Sequence, residues 1–206
     1  MKDRIYDWAM TRYMTRLNRA FLETCRDGAA IMDIGIGTGA ARVNNKEIIV
    51  RKKLRIAGYD IDPVYIRACE KKIAKYGLEK QLTVKRADVN RETADAAYDH
   101  VLFSDSFAMI PDCCDLIADV RRFLKNDGTV VVLTTLDEDG FGLPYRKFVK
   151  PKIKSLTSVE FGRVTTIAEF KEEPKNRNLV IRKMDFVQSI YCPGCGLTKS
   201  FRIDLQ

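Results

Sequence analysis

The sequence predicts an α/β domain: a mostly parallel sheet with helices on both faces, closed at its C-terminal end by an antiparallel hairpin. Two observations predict this. Between residues 29 and 136, short apolar runs alternate with amphipathic stretches, the pattern of strand–helix units whose parallel strands are covered on both sides. Beyond residue 178, two long alternating segments flank a Cys-Pro-Gly-Cys turn, the pattern of a hairpin. A chain of 206 residues fits one domain. We divide it into a helical cap (1–28), a core (29–136), a basic insertion (137–178) and the hairpin (179–206).

The elements follow in order. Residues 3–25 place Ile5, Trp8, Tyr13, Leu17 and Phe21 near three- and four-residue spacing, which predicts one or two amphipathic helices ended by Asp27-Gly28. Ala29 to Ile34 reads as a strand that stops at a glycine cluster, and a helix from Ala40 to Leu54 follows. Then come strand Arg55–Tyr59, helix Val64–Tyr76, and strands Leu82–Arg86 and His100–Phe103. Helix Cys114–Leu124, a turn at Asn126-Asp127-Gly128, and the apolar strand Thr129–Leu136 complete the alternation. Thr165 to Glu173 reads as a short helix capped by threonine, Leu179–Tyr191 as a long strand, and Ser200–Leu205 as the last one.

Composition excludes several classes. Apolar residues at 46% are too many for a disordered chain, and no apolar run reaches a membrane span or resembles a secretory leader, so a cytoplasmic location is expected. Six cysteines in a chain this long are ordinary thiols and not a disulfide framework. Cys192 and Cys195 have the spacing of half a zinc site but no second pair to complete it, so no metal is expected. The net charge of +8 is concentrated at the C-terminal end, where residues 141–206 carry 13 basic and 6 acidic side chains. Its densest part is Tyr145 to Lys154, including Arg146, Lys147 and Lys150, a run that attracts phosphate, lipid headgroups or nucleic acid.

The most informative segment is Ile31 to Gly39, where a strand runs into Gly35-Ile36-Gly37-Thr38-Gly39 and a helix begins at once. Glycines there let the backbone turn tightly and admit a ligand without Cβ atoms in the way. Asp60 ends the next strand, where a carboxylate can accept both hydroxyls of a ribose, and Asp88 ends the third. Three consecutive strand ends thus carry the groups an adenosine ligand requires.

With Asp33 two residues before the first glycine, the run D-I-G-I-G-T-G resembles the signature of the class I S-adenosylmethionine-dependent methyltransferases, over about residues 29–136. The resemblance implies a Rossmann-like seven-stranded sheet whose last two strands form the hairpin. It implies that Asp33 lies beneath the loop and helps hold the methionine ammonium, while Gly35, Gly37, Thr38 and Gly39 border the amino-acid and ribose portions. Asp60 would bind the ribose, Ile61 and Val89 would flank the adenine, and Asp88 would accept from its amino group. Ser104 and Asp105 would line the junction with the substrate, with Asp105 the better-placed acid for a catalytic role. S-adenosylhomocysteine would be the product.

The acceptor is less legible. Relatives that methylate exocyclic base amines carry an Asn/Asp-Pro-Pro-aromatic signature after the fourth strand, where this chain has Ser104-Asp105-Ser106-Phe107. Small-molecule members cover the site with an N-terminal helix and an insertion, which here would supply Tyr6, Tyr13, Tyr145 and Arg146. The expected acceptor is therefore a small molecule or lipid headgroup, anionic to suit the basic insertion, with peripheral contact to an anionic surface. The alternatives are a protein or nucleic acid methyltransferase docking through the basic C-terminal third, and a non-catalytic cofactor-binding partner subunit. His100, the single histidine, starts the fourth strand away from the chemistry and reads as structural. The oligomeric state is not legible.

Overall fold

The computed structural model describes residues 2–93, 95–104, 106, 110, 113–137, 165–175, 180–192 and 196–205. Within these, residues 2–10, 113–114, 173–175, 190–192 and 196–198 are described by backbone alone. Seven strands form one sheet: β1 Ala30–Ile34, β2 Arg55–Asp60, β3 Leu82–Arg86, β4 Tyr98–Ser104, β5 Leu124–Leu136, β6 Ile181–Cys192 and β7 Gly196–Leu205. Their order is β3-β2-β1-β4-β5-β7-β6. The first five are parallel to one another, while β7 is antiparallel to both β5 and β6. The chain reverses direction across the sheet between β1 and β4, and the crevice at that switch point is where open α/β sheets bind ligands.

Helix α1 (Lys2–Thr24) is a single helix. It packs with α2 (Ala40–Val43), α3 (Lys46–Arg51) and α4 (Pro63–Tyr76) on one face of the sheet, where Leu17, Phe21, Ile48, Ile49 and Ile73 meet Ile31, Leu102 and Val131. Helices α5 (Cys113–Val120) and α6 (Ile167–Lys175) cover the other, where Ile117, Val120 and Phe170 meet Met32, Phe103, Val130 and Ile203. Successive strand residues alternate between the two cores, as the period-2 pleat requires.

Two expectations need correcting. The helix expected over Ala40–Leu54 is split, because Asn45 turns its side-chain amide onto the carbonyls of Ala41, at 2.8 Å, and Thr15, at 3.0 Å, docking the break against α1. The turn expected at Asn126-Asp127-Gly128 lies inside β5 as a wide bulge: Tyr98 pairs with Leu124 and His100 with Thr129, so Asp99 alone opposes the four residues between. The threonine cap is observed at Thr166, whose hydroxyl accepts from the Glu169 amide at 3.1 Å while Glu169 accepts from the Thr166 amide at 2.9 Å. No helix among the described residues is long and apolar enough to cross a membrane.

Candidate cofactor site at the switch point

The glycine loop joins β1 to α2 at the carboxyl edge of the sheet. Its backbone is pinned to β2, with the Gly35 and Ile36 amides both donating to the Tyr59 carbonyl, at 2.8 and 3.2 Å. All three glycines have positive φ, between 59° and 73°, but they face different surroundings. A Cβ on Gly35 would lie 2.5 Å from Ser106 Cβ, and one on Gly39 would lie 2.3 Å from Cys69 Sγ. These two are glycines because the protein's own side chains fill the space. A Cβ on Gly37 would meet nothing within 4 Å among the described residues. The middle glycine therefore borders open volume, the cradle that a ligand backbone approach requires.

Asp60 stands beside that opening. Its Oδ2 accepts from the Gly37 amide at 2.9 Å and its Oδ1 from the Asp62 amide at 2.9 Å, so the half-buried carboxylate is held in one orientation. Ile61 follows, with 71% of its surface exposed. Asp88 caps the 3-10 turn Val89–Arg91 by accepting from the Asn90 amide at 3.1 Å, and its half-exposed carboxylate faces Arg91 at 3.6 Å. Val89 is buried in the core under α5, where it packs with Ile117 and Val120. The Thr38 carbonyl accepts from Lys72 Nζ at 3.0 Å.

Asp33 lies beneath the loop and is wholly buried. Burial pushes its carboxyl up, opposed by the Arg42 guanidinium, whose Nη2 touches Asp33 Oδ2 at 2.5 Å. Arg42 Nη1 donates to Asn18 Oδ1, and Asn18 Nδ2 donates to Met14 O at 2.8 Å and to Ser104 Oγ at 2.9 Å. A buried polar chain therefore runs Asp33–Arg42–Asn18–Ser104, from the end of β1 to the end of β4. Sequence reasoning passed over Arg42, Asn18 and Ser106. The available signals were an arginine two residues into an otherwise apolar helix turn, and an asparagine on the apolar stripe of α1, four residues from both Met14 and Leu22.

Ser106, in the segment after β4, donates to the Ile34 carbonyl at 2.6 Å and closes the loop from behind. Tyr13, expected as a cover, is 7% exposed, and its hydroxyl joins Thr135 and, at 2.8 Å, Ser200 on the β5–β7 pair. The side chain of Tyr6, together with Asp105, Tyr145 and Arg146, lies outside the described residues, as does Cys195 and the side chain of Cys192. His100 sits at the opposite edge of the sheet with Nδ1 against Thr129 Oγ1 at 2.8 Å and its ring edge-on to Phe21, a packing role. Cys69 is a buried thiol pushed up to about 11 by desolvation, a wedge under Gly39 and no nucleophile.

An open, mostly parallel sheet with a glycine loop at its switch point and a carboxylate at the end of each of the next two strands is a nucleotide-cofactor-binding architecture. The family model described as "Methyltransferase domain" matches residues 26–177, and the chain belongs to that family, as a class I S-adenosylmethionine-dependent methyltransferase. A demethylmenaquinone methyltransferase from Lactobacillus johnsonii is 23% identical over 180 residues, covering 77% of this chain and 72% of that one. Among solved structures, the geranyl diphosphate C-methyltransferase from Streptomyces coelicolor superposes with a TM-score of 0.67 at 13% identity, over 97% of this chain and 79% of its own. The [4+2]-cyclase SpnF superposes with a TM-score of 0.71 at 14% identity, over 93% and 80% of the two chains. At those identities the superpositions establish the fold alone.

Proposed function

We propose that this protein transfers the methyl group of S-adenosylmethionine to a small-molecule or lipid-headgroup acceptor that carries negative charge. The observation behind the cofactor assignment is the open face of Gly37 beside the fixed carboxylate of Asp60. In that reading Asp60 takes the ribose hydroxyls, Ile61 and Val89 enclose the adenine, Asp88 accepts from its amino group, and Gly35 to Gly39 border the amino-acid end. The cofactor supplies an already activated sulfonium methyl, so the chain's own task is alignment of the acceptor and exclusion of water.

Support for the acceptor class comes from the basic run Tyr145–Lys154 and from the substrate names of the similar proteins, demethylmenaquinone and geranyl diphosphate, the second of them an anion. Asp105 is the acid we assign to the acceptor side, with Tyr6, Tyr145 and Arg146 covering it. The fold by itself fixes no chemistry, as the superposition on a cyclase illustrates. The deciding experiment is calorimetric titration with S-adenosylmethionine and then S-adenosylhomocysteine, followed by a screen of anionic small molecules and anionic vesicles with methyl-labelled cofactor. Micromolar binding of both nucleosides and label transfer to one acceptor class are expected. Folded protein that binds neither overturns the assignment.

A further inference from the structure

The buried chain from Asp33 to Ser104 has a direction that its donors and acceptors impose. A guanidinium only donates, so the Asn18 oxygen must face Arg42. The Met14 carbonyl only accepts, so the Asn18 amide nitrogen must face it, and its second hydrogen goes to Ser104 Oγ. Ser104 is thereby an acceptor within the protein, and its own hydroxyl hydrogen has no partner among the described residues. The half-buried Ser104 ends β4, beside the glycine loop. Asn18 and Asp33 are 0% exposed and Arg42 is 2% exposed, so all of the ordering occurs behind the site and only Ser104 reaches its surface.

Strand order says which part of a ligand would meet that hydroxyl. Asp88, Asp60, the glycine loop and Ser104 end β3, β2, β1 and β4, which are four consecutive strands of the sheet. With adenosine on β3 and β2, the remainder of the cofactor extends toward β4, two strand spacings or about 10 Å from Asp60. We propose, resting on the cofactor reading above, that Asn18 and Arg42 are positioning residues that hold Ser104 as a hydrogen-bond donor to the carboxylate at the amino-acid end of the cofactor. Asp33 acts from below as the counter-ion of Arg42, which keeps the guanidinium fixed on Asn18. The carboxylate is the group at that end that can accept the free hydroxyl hydrogen of Ser104, since an ammonium carries no acceptor.

The test uses S-adenosylhomocysteine and 5′-methylthioadenosine, which lacks the amino-acid end, titrated calorimetrically into the full chain. Ser104→Ala should weaken S-adenosylhomocysteine about tenfold and leave 5′-methylthioadenosine within about twofold, and Ser104→Thr should restore the first. Asn18→Asp keeps an acceptor for Arg42 but turns the serine hydroxyl inward, so it should show the same selective loss. The double variant should lose no more than either single change. Undiminished S-adenosylhomocysteine affinity in Ser104→Ala, equal losses for both probes, or additive losses overturn the proposal. If Asn18→Asp does not fold, the Ser104 pair of variants decides. Wild-type protein that binds neither probe defeats the cofactor reading itself, an outcome distinct from all of these.

Discussion

The Gly37 amide donates to Asp60 Oδ2 at 2.9 Å, so the open glycine of the loop and the acid at the end of β2 form one hydrogen-bonded unit. Removing that acid has two consequences at once. Asp60→Ala leaves the Gly37 and Asp62 amides without their acceptor and removes the charge-assisted bonds offered to a ribose. Affinity for S-adenosylhomocysteine should fall by about 2 to 3 kcal/mol, readable by calorimetry. Unchanged affinity in a folded variant would show that the ribose lies elsewhere.

Gly35 and Gly37 should separate by substitution. Gly35→Ala places a methyl 2.5 Å from Ser106 Cβ, in a backbone conformation that L residues rarely adopt, and is expected to cost several kcal/mol of stability, on the order of other overpacked and strained sites. Gly37→Ala meets no atom of the described residues, so its positive φ is what opposes it, at about 1 to 2 kcal/mol. Urea unfolding should therefore rank Gly37→Ala well above Gly35→Ala. Cofactor titration should find Gly37→Ala severely impaired although it folds, because the methyl occupies the ligand's space.

Much of this arrangement was legible in the sequence because its signals are local. β1, β2, β3 and α4 fall within a residue or two of their expected bounds, since short apolar runs ended by glycine or aspartate leave few alternatives. The glycine loop and Asp60 were legible because their spacing is a backbone requirement. The polar chain behind them was not. Asn18, Arg42 and Ser104 are separated by 24 and 62 residues, and nothing in a single sequence states that α1 docks against α2 with a hydrogen-bonding edge. The bulge opposite Asp99 was missed for a related reason. Asn-Asp-Gly favours a turn whether it ends a strand or merely distorts one.

Tyr13 was expected over the substrate, and its burial gives a different prediction. Tyr13→Phe removes the hydroxyl that joins α1 to Thr135 and Ser200, leaving two hydroxyl groups of the β5–β7 pair without that partner. Thermal unfolding should show a loss of about 1 to 2 kcal/mol. Affinity for S-adenosylhomocysteine should stay within about twofold, because the lost bonds lie in the sheet and not in the loop. A large loss of cofactor or acceptor binding with unchanged stability would instead return Tyr13 to the role of a cover.

Asp99 gives the chain a pH dependence at the edge of the sheet remote from the cofactor site. Burial raises its carboxyl, but the Ala30 amide at 2.8 Å, Arg26 and Lys125 at 3.0 Å together outweigh it and hold the group at about 2. The unfolded chain has the ordinary value of 3.8, so the folded state binds the proton less readily. Its contribution is therefore fully present above pH 3.8 and lost as the pH falls toward 2. Because Arg26 is 70% exposed, solvent screens part of the attraction, and the contribution at neutral pH is about 1 kcal/mol. Asp99→Asn should lower stability by that amount at pH 7 and by much less at pH 2, where the native carboxyl is about half protonated. Chemical denaturation of both proteins between pH 2 and 7 should show the two stabilities converging on the acid side; parallel curves would mean that Asp99 is not the titrating group.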